Sequence, residues 1–366
     1  MPDPATRPQP RPLRCGLVGL TFIASAPAVP TITGGRGILP YSHASALARM
    51  PHQIELVAIC DIVPAMIDRF TEQWGTTWPD LRTYLNVHEM IAKEDLDIIA
   101  VVTPDDRHAD IVVAAANAGI PAIMCEKPLA TTLADADRMI AAIEANGTLM
   151  TVEHTRRWDP YYHQVKALIE AGKIGEVRTI AGTLHGGRAM LFRNGTHIID
   201  LMNYYAGAQP VRVFARLEPG YEDFVAYRGD GGHDPASEPG ATAYIEYANG
   251  VRGVYNGEKG AIGLTEWDIL GTAGRIRINA GFAEYWTLDR ENGDLVQRPF
   301  PATLIMTGAI QAAYEELVSA LTAGGAIRST ARDARRTLGV IDAILRSNQA
   351  GQLVDVDVEV DREAVA

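Results

Sequence analysis

The chain has 366 residues, 47% of them hydrophobic, with a formal net charge of -12 and a pI near 5.2. Its length exceeds one small domain and its apolar content suffices for a large core, so two domains are expected. The acidic average field excludes nucleic acid and anionic membrane surfaces as partners and leaves small molecules.

Residues 1–14, rich in Pro and Arg, read as a disordered tail. Basic residues at 11–14 followed by an apolar stretch and Ala24-Ser25-Ala26 imitate a secretory signal. The same stretch is the candidate first strand and phosphate turn of the adjoining domain, so it is assigned to the fold and the protein to the cytoplasm. Apolar runs at 14–19, 54–60, 98–103, 122–125 and 149–153 alternate with helical stretches and show little polar alternation. That is the pattern of a doubly wound parallel sheet with both faces covered, a dinucleotide-binding domain over 15–150. A helix at 109–118 stops at Gly119 with Pro121 beyond, and Thr132-Leu133-Ala134-Asp135 has capping-box form. Cys15, Cys60 and Cys125 lie in or at the end of these runs without CxxC spacing and read as reduced core residues, and no metal site is expected.

The first strand runs into Gly19-Leu20-Thr21-Phe22-Ile23-Ala24, which fits G-x-G-x-x-G/A at its first and third positions but has Thr21 at the second. A modified phosphate turn results, with Gly19, Thr21, Phe22 and Ile23 as cofactor contacts. Asp61 ends the second strand, where a carboxylate meets ribose hydroxyls and repels a 2′-phosphate, favouring NAD over NADP. Its distance from Gly19 is about twice the usual gap of about 20 residues. The excess is a loop over 25–42, with Arg36 either a phosphate contact or part of a passive surface. Thr103-Pro104 and Glu126-Lys127-Pro128 end the third and fourth strands, at the edge where ligands sit in open α/β sheets. His108, just after Thr103-Pro104, either faces that cleft or caps the next helix.

Beyond Glu153 the pattern changes. A helix at 161–171 precedes β-rich runs at 177–184, 211–216, 242–247, 252–256, 267–270, 275–278 and 285–288, with Asn249-Gly250 and Asn292-Gly293 as hairpin turns. These runs make a large antiparallel sheet, in a second α/β domain over 151–366 completed by helices at 310–321 and 331–347. His197 opens an apolar helix at 197–205 whose start is free to face a cleft. His185, in a sheet strand, points either to the cleft or to the core. His233 and Asp234 fall in a loop rich in Gly, Asp and Pro and are not read as metal ligands. Asn194-Gly195-Thr196 and Arg228-Gly229-Asp230 are chance matches to glycosylation and adhesion motifs.

Gly19 to Ala24, Asp61, Thr103-Pro104, Glu126-Lys127-Pro128 and Gly195-Thr196-His197-Ile198-Ile199-Asp200 stand in the order of the Gfo/Idh/MocA oxidoreductases, which the chain resembles over nearly its whole length. The resemblance implies a Rossmann domain joined to an α/β domain whose open sheet walls the active site. It also implies NAD(P)-dependent oxidation of a sugar, polyol or sugar acid. Thr103, Pro104, His108, Glu126 and Lys127 then join the cofactor contacts, and Lys127 and His197 are the catalytic pair, the base being either one. Asp200 is implied as an acidic substrate contact. His154-Thr155-Arg156-Arg157-Trp158-Asp159-Pro160 resembles the family's domain-junction segment, giving Arg157 and Trp158 as substrate contacts beside His185. Arg193 replaces the Asp that many members carry four residues before the His and favours an anionic substrate. Crowding by Arg157 and Arg193 is expected to lower the Lys127 pKa. Two alternatives stay open: a redox-neutral glycosidase with tightly held NAD, and a non-catalytic ligand sensor. A homodimer or homotetramer is expected from the open sheet.

Overall fold

The computed structural model describes residues 11–27, 40–229, 232–279, 282–301 and 308–358. Arg36 with most of its loop, and Asp230, lie outside them. The first sheet holds β1 (Leu13–Val18), β2 (Ile54–Cys60), β3 (Arg82–Tyr84), β4 (Ile98–Val101), β5 (Ala122–Cys125) and β6 (Leu149–Val152). All its pairings are parallel, in the order β3-β2-β1-β4-β5-β6. The order reverses between β1 and β4, which opens a crevice at the strands' carboxyl ends. Six helices connect them: α1 (Phe22–Ser25), α2 (His43–Leu47), α3 (Pro64–Trp74), α4 (Val87–Lys93), α5 (His108–Asn117) and α6 (Leu133–Asn146). Every residue of β4 and β5 is buried, the reason these strands read as unbroken apolar runs. Thr132 caps α6 by accepting the Asp135 N–H at 3.1 Å.

The second half contributes α7 (Pro160–Glu170), β7 (Val177–His185), α8 (Gly195–Ala206), β8 (Pro210–Leu217), β9 (Ala241–Tyr247), β10 (Arg252–Glu258), β11 (Leu264–Gly271), β12 (Gly274–Asn279), β13 (Ala283–Leu288), β14 (Leu295–Arg298), α9 (Ala309–Ala323), α10 (Ala331–Ala350) and β15 (Val354–Asp355). Its nine-stranded sheet runs β14-β13-β12-β11-β7-β10-β9-β8-β15 and is antiparallel except at the β7–β10 pair. Burial alternates along β7, β9, β10 and β12, so one face is covered and the other open. On the covered face Gly182 lies where any Cβ would meet Ile198 and Met202 of α8. The fully buried Trp267, from the same face, hydrogen-bonds the Ile198 carbonyl at 3.3 Å. Burial of such a side chain stabilises by roughly 1.5–3 kcal/mol. The open face exposes Phe214, Val254 and Leu270.

The last helices tie the halves together. Ile310, Ala313, Tyr314 and Leu317 of α9 pack into one cluster with Leu17, Ile98 and Met124 of the first sheet. From α10, Arg335 pairs with Asp137 of α6 at 2.9 Å. No helix among the described residues is long and apolar enough to cross a membrane.

Candidate active site

The crevice begins at Gly19, whose φ of +84° and a Cβ site only 2.5 Å from the Val102 carbonyl oxygen admit glycine alone. Asp61 fixes this turn: its Oδ2 accepts the Leu20 N–H and its Oδ1 the Val63 N–H, each at 2.9 Å. Thr21 and Phe22 stand exposed, and Ile23 is half-buried. Phe22, Ile62 and Leu85, beyond the carboxyl ends of β1, β2 and β3, leave an apolar rim uncovered. Such an edge suits the adenosine half of a dinucleotide, and the carboxylate beside it suits ribose hydroxyls. Thr103 has a buried hydroxyl with no hydrogen-bond partner among the described residues. A fully buried His108 faces neither the crevice nor a helix cap. Its ring nitrogens lie 3.0 Å from the Pro128 carbonyl and 3.1 Å from that of Thr103, clamping two strand-end loops together.

Lys127 follows β5 in a cis peptide with Pro128, half-buried, and its ammonium donates to the Arg193 carbonyl at 3.1 Å. Burial and the Arg193 charge lower its pKa to about 8, with a smaller push from Arg156 and opposition from Glu126 and Asp105. The neighbouring cation is thus Arg156, where the sequence suggested Arg157. Behind Lys127, Glu126 lies 3.2 Å from His43 Nε2 on α2, and Tyr314 lies 2.9 Å from the other His43 nitrogen. Burial pushes the Glu126 carboxyl up, but the His43 hydrogen bond and the Lys127 charge hold it down to about 2.

His197 enters from the first turn of α8 and is half-buried. Burial, then the charges of Arg156 and Lys127, put its pKa well below the ordinary histidine value, so the ring is neutral. The His154 ring meets it edge-on at 5.9 Å and is anchored at Nε2, 3.1 Å from the Thr196 hydroxyl. Burial lowers His154 to about 4 despite Asp200 nearby. Ahead of α8, the Glu238 carboxylate accepts the N–H groups of Phe192 and Arg193 at 2.7 and 3.0 Å and fixes the loop that presents Arg193. The Arg193 side chain pairs with buried Asp105 at 3.0 Å, and Tyr227 donates to the second Asp105 oxygen.

Three residues taken from the sequence as substrate contacts are enclosed. Arg157 is 3% exposed and grips Asp200 with two hydrogen bonds of 2.9 and 2.8 Å, with Asp333 at 3.2 Å. Trp158 is 5% exposed. His185 departs differently: it alternates with the buried Leu184 and lies on the open face of the sheet, 3.0 Å from Asn256 and across the sheet from α8. Gathered instead around Lys127 and His197 are His154, Arg156, Arg193 and Asp105, with Tyr227 and His43 one layer out. Of these, Asp105 carried the clearest missed signal, an acid directly behind the Thr103-Pro104 strand end. Among the described residues no group of three or more His, Cys, Asp or Glu could hold a metal ion.

Two family profiles match the chain, "Oxidoreductase family, NAD-binding Rossmann fold" over residues 31–154 and "GFO/IDH/MocA C-terminal domain" over 162–277. Inositol 2-dehydrogenase of Salmonella typhimurium is 31% identical over 179 residues, 46% of this chain and 52% of that protein. The match thus spans about half the length of this relative. Inositol 2-dehydrogenase of Rhizobium meliloti is 26% identical over 332 residues, 86% of this chain and 94% of the other. A levoglucosan dehydrogenase solved with NADH superposes with a TM-score of 0.76 at 22% identity, covering 95% of this chain and all of its own, and shares the fold.

Proposed function

Since the chain belongs to the Gfo/Idh/MocA oxidoreductase family, we propose that it is a dehydrogenase moving a hydride between a hydroxyl carbon of a sugar, polyol or sugar acid and NAD. One observation carries this reading: a half-buried amine with a pKa of about 8 stands beside a neutral histidine at the carboxyl edge of a dinucleotide-type sheet. A general base works best when its pKa lies near the operating pH.

When bound, the nicotinamide supplies the acceptor for the hydride released as the substrate C–H bond breaks and the alcohol becomes a carbonyl. Lys127 in its amine form takes the hydroxyl proton, and the Arg193 carbonyl keeps that amine in place. Neutral His197 hydrogen-bonds the same oxygen, its ring steadied by His154 and Thr196. Asp61 retains free lone pairs for ribose hydroxyls, and its charge opposes a 2′-phosphate, the reason for NAD over NADP. The unpartnered Thr103 hydroxyl is a further cofactor contact. Relatives named for inositol and levoglucosan favour a polyhydroxylated substrate. The protein works in the cytoplasm as a dimer or tetramer, a second copy covering Phe214, Val254 and Leu270 on the open sheet face.

The test is NADH formation by the purified protein with NAD, and separately NADP, across sugars, inositols and sugar acids, beside the Lys127→Met variant. NADH from one substrate group, lost in the variant, is the expected result. Cofactor bound without NADH from any substrate overturns the reading.

A further inference from the structure

Three cations stand at the crevice and a fourth, Arg157, lies enclosed behind it; three of the four are engaged. Lys127 donates to the Arg193 carbonyl, Arg193 is paired with Asp105, and Arg157 is gripped by Asp200 and Asp333. Arg156 differs: among the described residues its guanidinium has no carboxylate within ion-pair distance and no hydrogen-bond acceptor, although it is half-buried. Its position is set by the short 3-10 turn Thr155–Arg157, directly after the His154 ring that touches His197. Its Cζ lies 5.8 Å from the ring centroid of Trp267, whose indole is bonded to the Ile198 carbonyl next to His197.

A guanidinium held on an aromatic face keeps its in-plane N–H donors free at the edge, where they match the two oxygens of a carboxylate. A half-buried cation without a counter-ion is unfavourable, and an arriving anion removes that penalty. The acids nearby are spent, Glu126 on His43 and Asp105 on Arg193 and Tyr227.

We infer that Arg156 forms an anion subsite beside the reacting carbon and that the substrate is a hydroxy acid, an aldonic or uronic acid held by its carboxylate. This narrows the substrate class of the dehydrogenase proposed above and rests on it. The carbon oxidised is then a hydroxyl carbon near the carboxylate, since Arg156 follows closely on the His154 ring that meets His197 and leans on the Trp267 indole bonded to the Ile198 carbonyl. Trp267 is fully buried by Tyr162 and α8 and does not itself require a cation for cover.

The experiment compares D-gluconate and D-glucuronate with myo-inositol, D-glucose and D-glucose 6-phosphate, on wild type, Arg156→Met and Arg156→Lys. It reads kcat/KM with NAD and, separately, calorimetric binding to the NADH-loaded protein. Expected are a preference for an acid over its neutral counterpart of about 10- to 100-fold in wild type, its loss in Arg156→Met, and a partial return in Arg156→Lys, a point charge in place of a fork. Preference for a neutral sugar in wild type, or an acid preference that survives in Arg156→Met, overturns the subsite. Preference for the phosphate that depends on Arg156 overturns the carboxylate assignment. If no compound yields NADH, the dehydrogenase reading fails and calorimetry alone judges the subsite. Gluconate binding lost in Arg156→Met then supports it, and no binding to wild type overturns it.

Discussion

Lys127 and Arg193 meet through the backbone, the Lys127 ammonium donating to the Arg193 carbonyl at 3.1 Å while the Arg193 side chain turns away to Asp105 at 3.0 Å. One arginine therefore positions the amine with its carbonyl and lowers the amine's pKa with its charge. Because the chemistry needs the deprotonated amine, kcat/KM for oxidation is expected to rise about tenfold per pH unit at low pH and level off above about 8. Lys127→Met is expected to lose about a thousandfold in kcat/KM while NADH binding, followed by its fluorescence, stays near wild type. A profile flat through this range excludes Lys127 as the base.

Asp105 balances that arrangement. Its negative charge opposes the fall of the Lys127 pKa, so Asp105→Asn is expected to move the midpoint of the pH profile further down. The same change leaves Arg193 without its ion-pair partner. Discounted for the partial exposure of Arg193, 21%, the stability loss is about 1–3 kcal/mol, measured by urea unfolding. An unmoved midpoint with this loss of stability would make Asp105 purely structural.

The frame of the protein was legible wherever burial was symmetrical. β4 and β5 are covered on both faces and appear as unbroken apolar runs, and Thr132 announced its helix through a local cap. Three elements gave weaker signals. β3, Arg82-Thr83-Tyr84, is a short edge strand with no buried residue, and β14 and β15 are likewise brief edges. In the site, a strand end and a helix start fix the places of Lys127 and His197 locally, while their pairing as catalytic groups came from the family resemblance alone. Arg156 and Arg157 could not be told apart by sequence, because neighbours on a 3-10 turn point about a third of a turn apart and only tertiary partners decide which one is enclosed. Period-two alternation likewise put His185 and Leu184 on opposite faces without saying which face α8 would cover. The Asp105 to Arg193 pairing spans 88 residues and leaves no local trace.

Arg157 is the sharpest case of a motif residue whose geometry is that of a strut. It joins the 3-10 turn to Asp200 of α8, Asp333 of α10 and the Arg328 carbonyl. Burial opposes its charge, yet Asp200 raises the pKa above the usual arginine value, so it stays protonated. Arg157→Met leaves Asp200 buried without its guanidinium, with only the Thr337 hydroxyl at 3.4 Å and the His154 ring at 3.6 Å beside it, and is expected to cost about 3–5 kcal/mol in urea unfolding, with little change in KM for whatever enzyme remains folded. The double variant Arg157→Met, Asp200→Leu should regain part of the loss. A rise in KM at unchanged stability would return Arg157 to the substrate.

Glu153, at the end of β6, is fully buried, and neither carboxylate oxygen has a hydrogen-bond partner among the described residues. Burial, then the charges of Glu126 and Glu316, raise its pKa well above the usual carboxylate range. The folded protein therefore keeps Glu153 protonated where the unfolded chain, with a glutamate pKa of about 4.3, has released the proton. Above that pH the native state binds the extra proton, and the contribution of Glu153 to stability falls by about 1.4 kcal/mol per pH unit until the folded pKa is reached. Glu153→Gln, close to the protonated acid in shape and unable to ionise, removes this slope. Melting temperatures of the two proteins should nearly coincide at about pH 4 and diverge upward, the variant being the more stable at about pH 8. The other titrating groups are common to both proteins and cancel in the difference. Parallel curves across the range would mean that Glu153 ionises in the fold as freely as in the open chain.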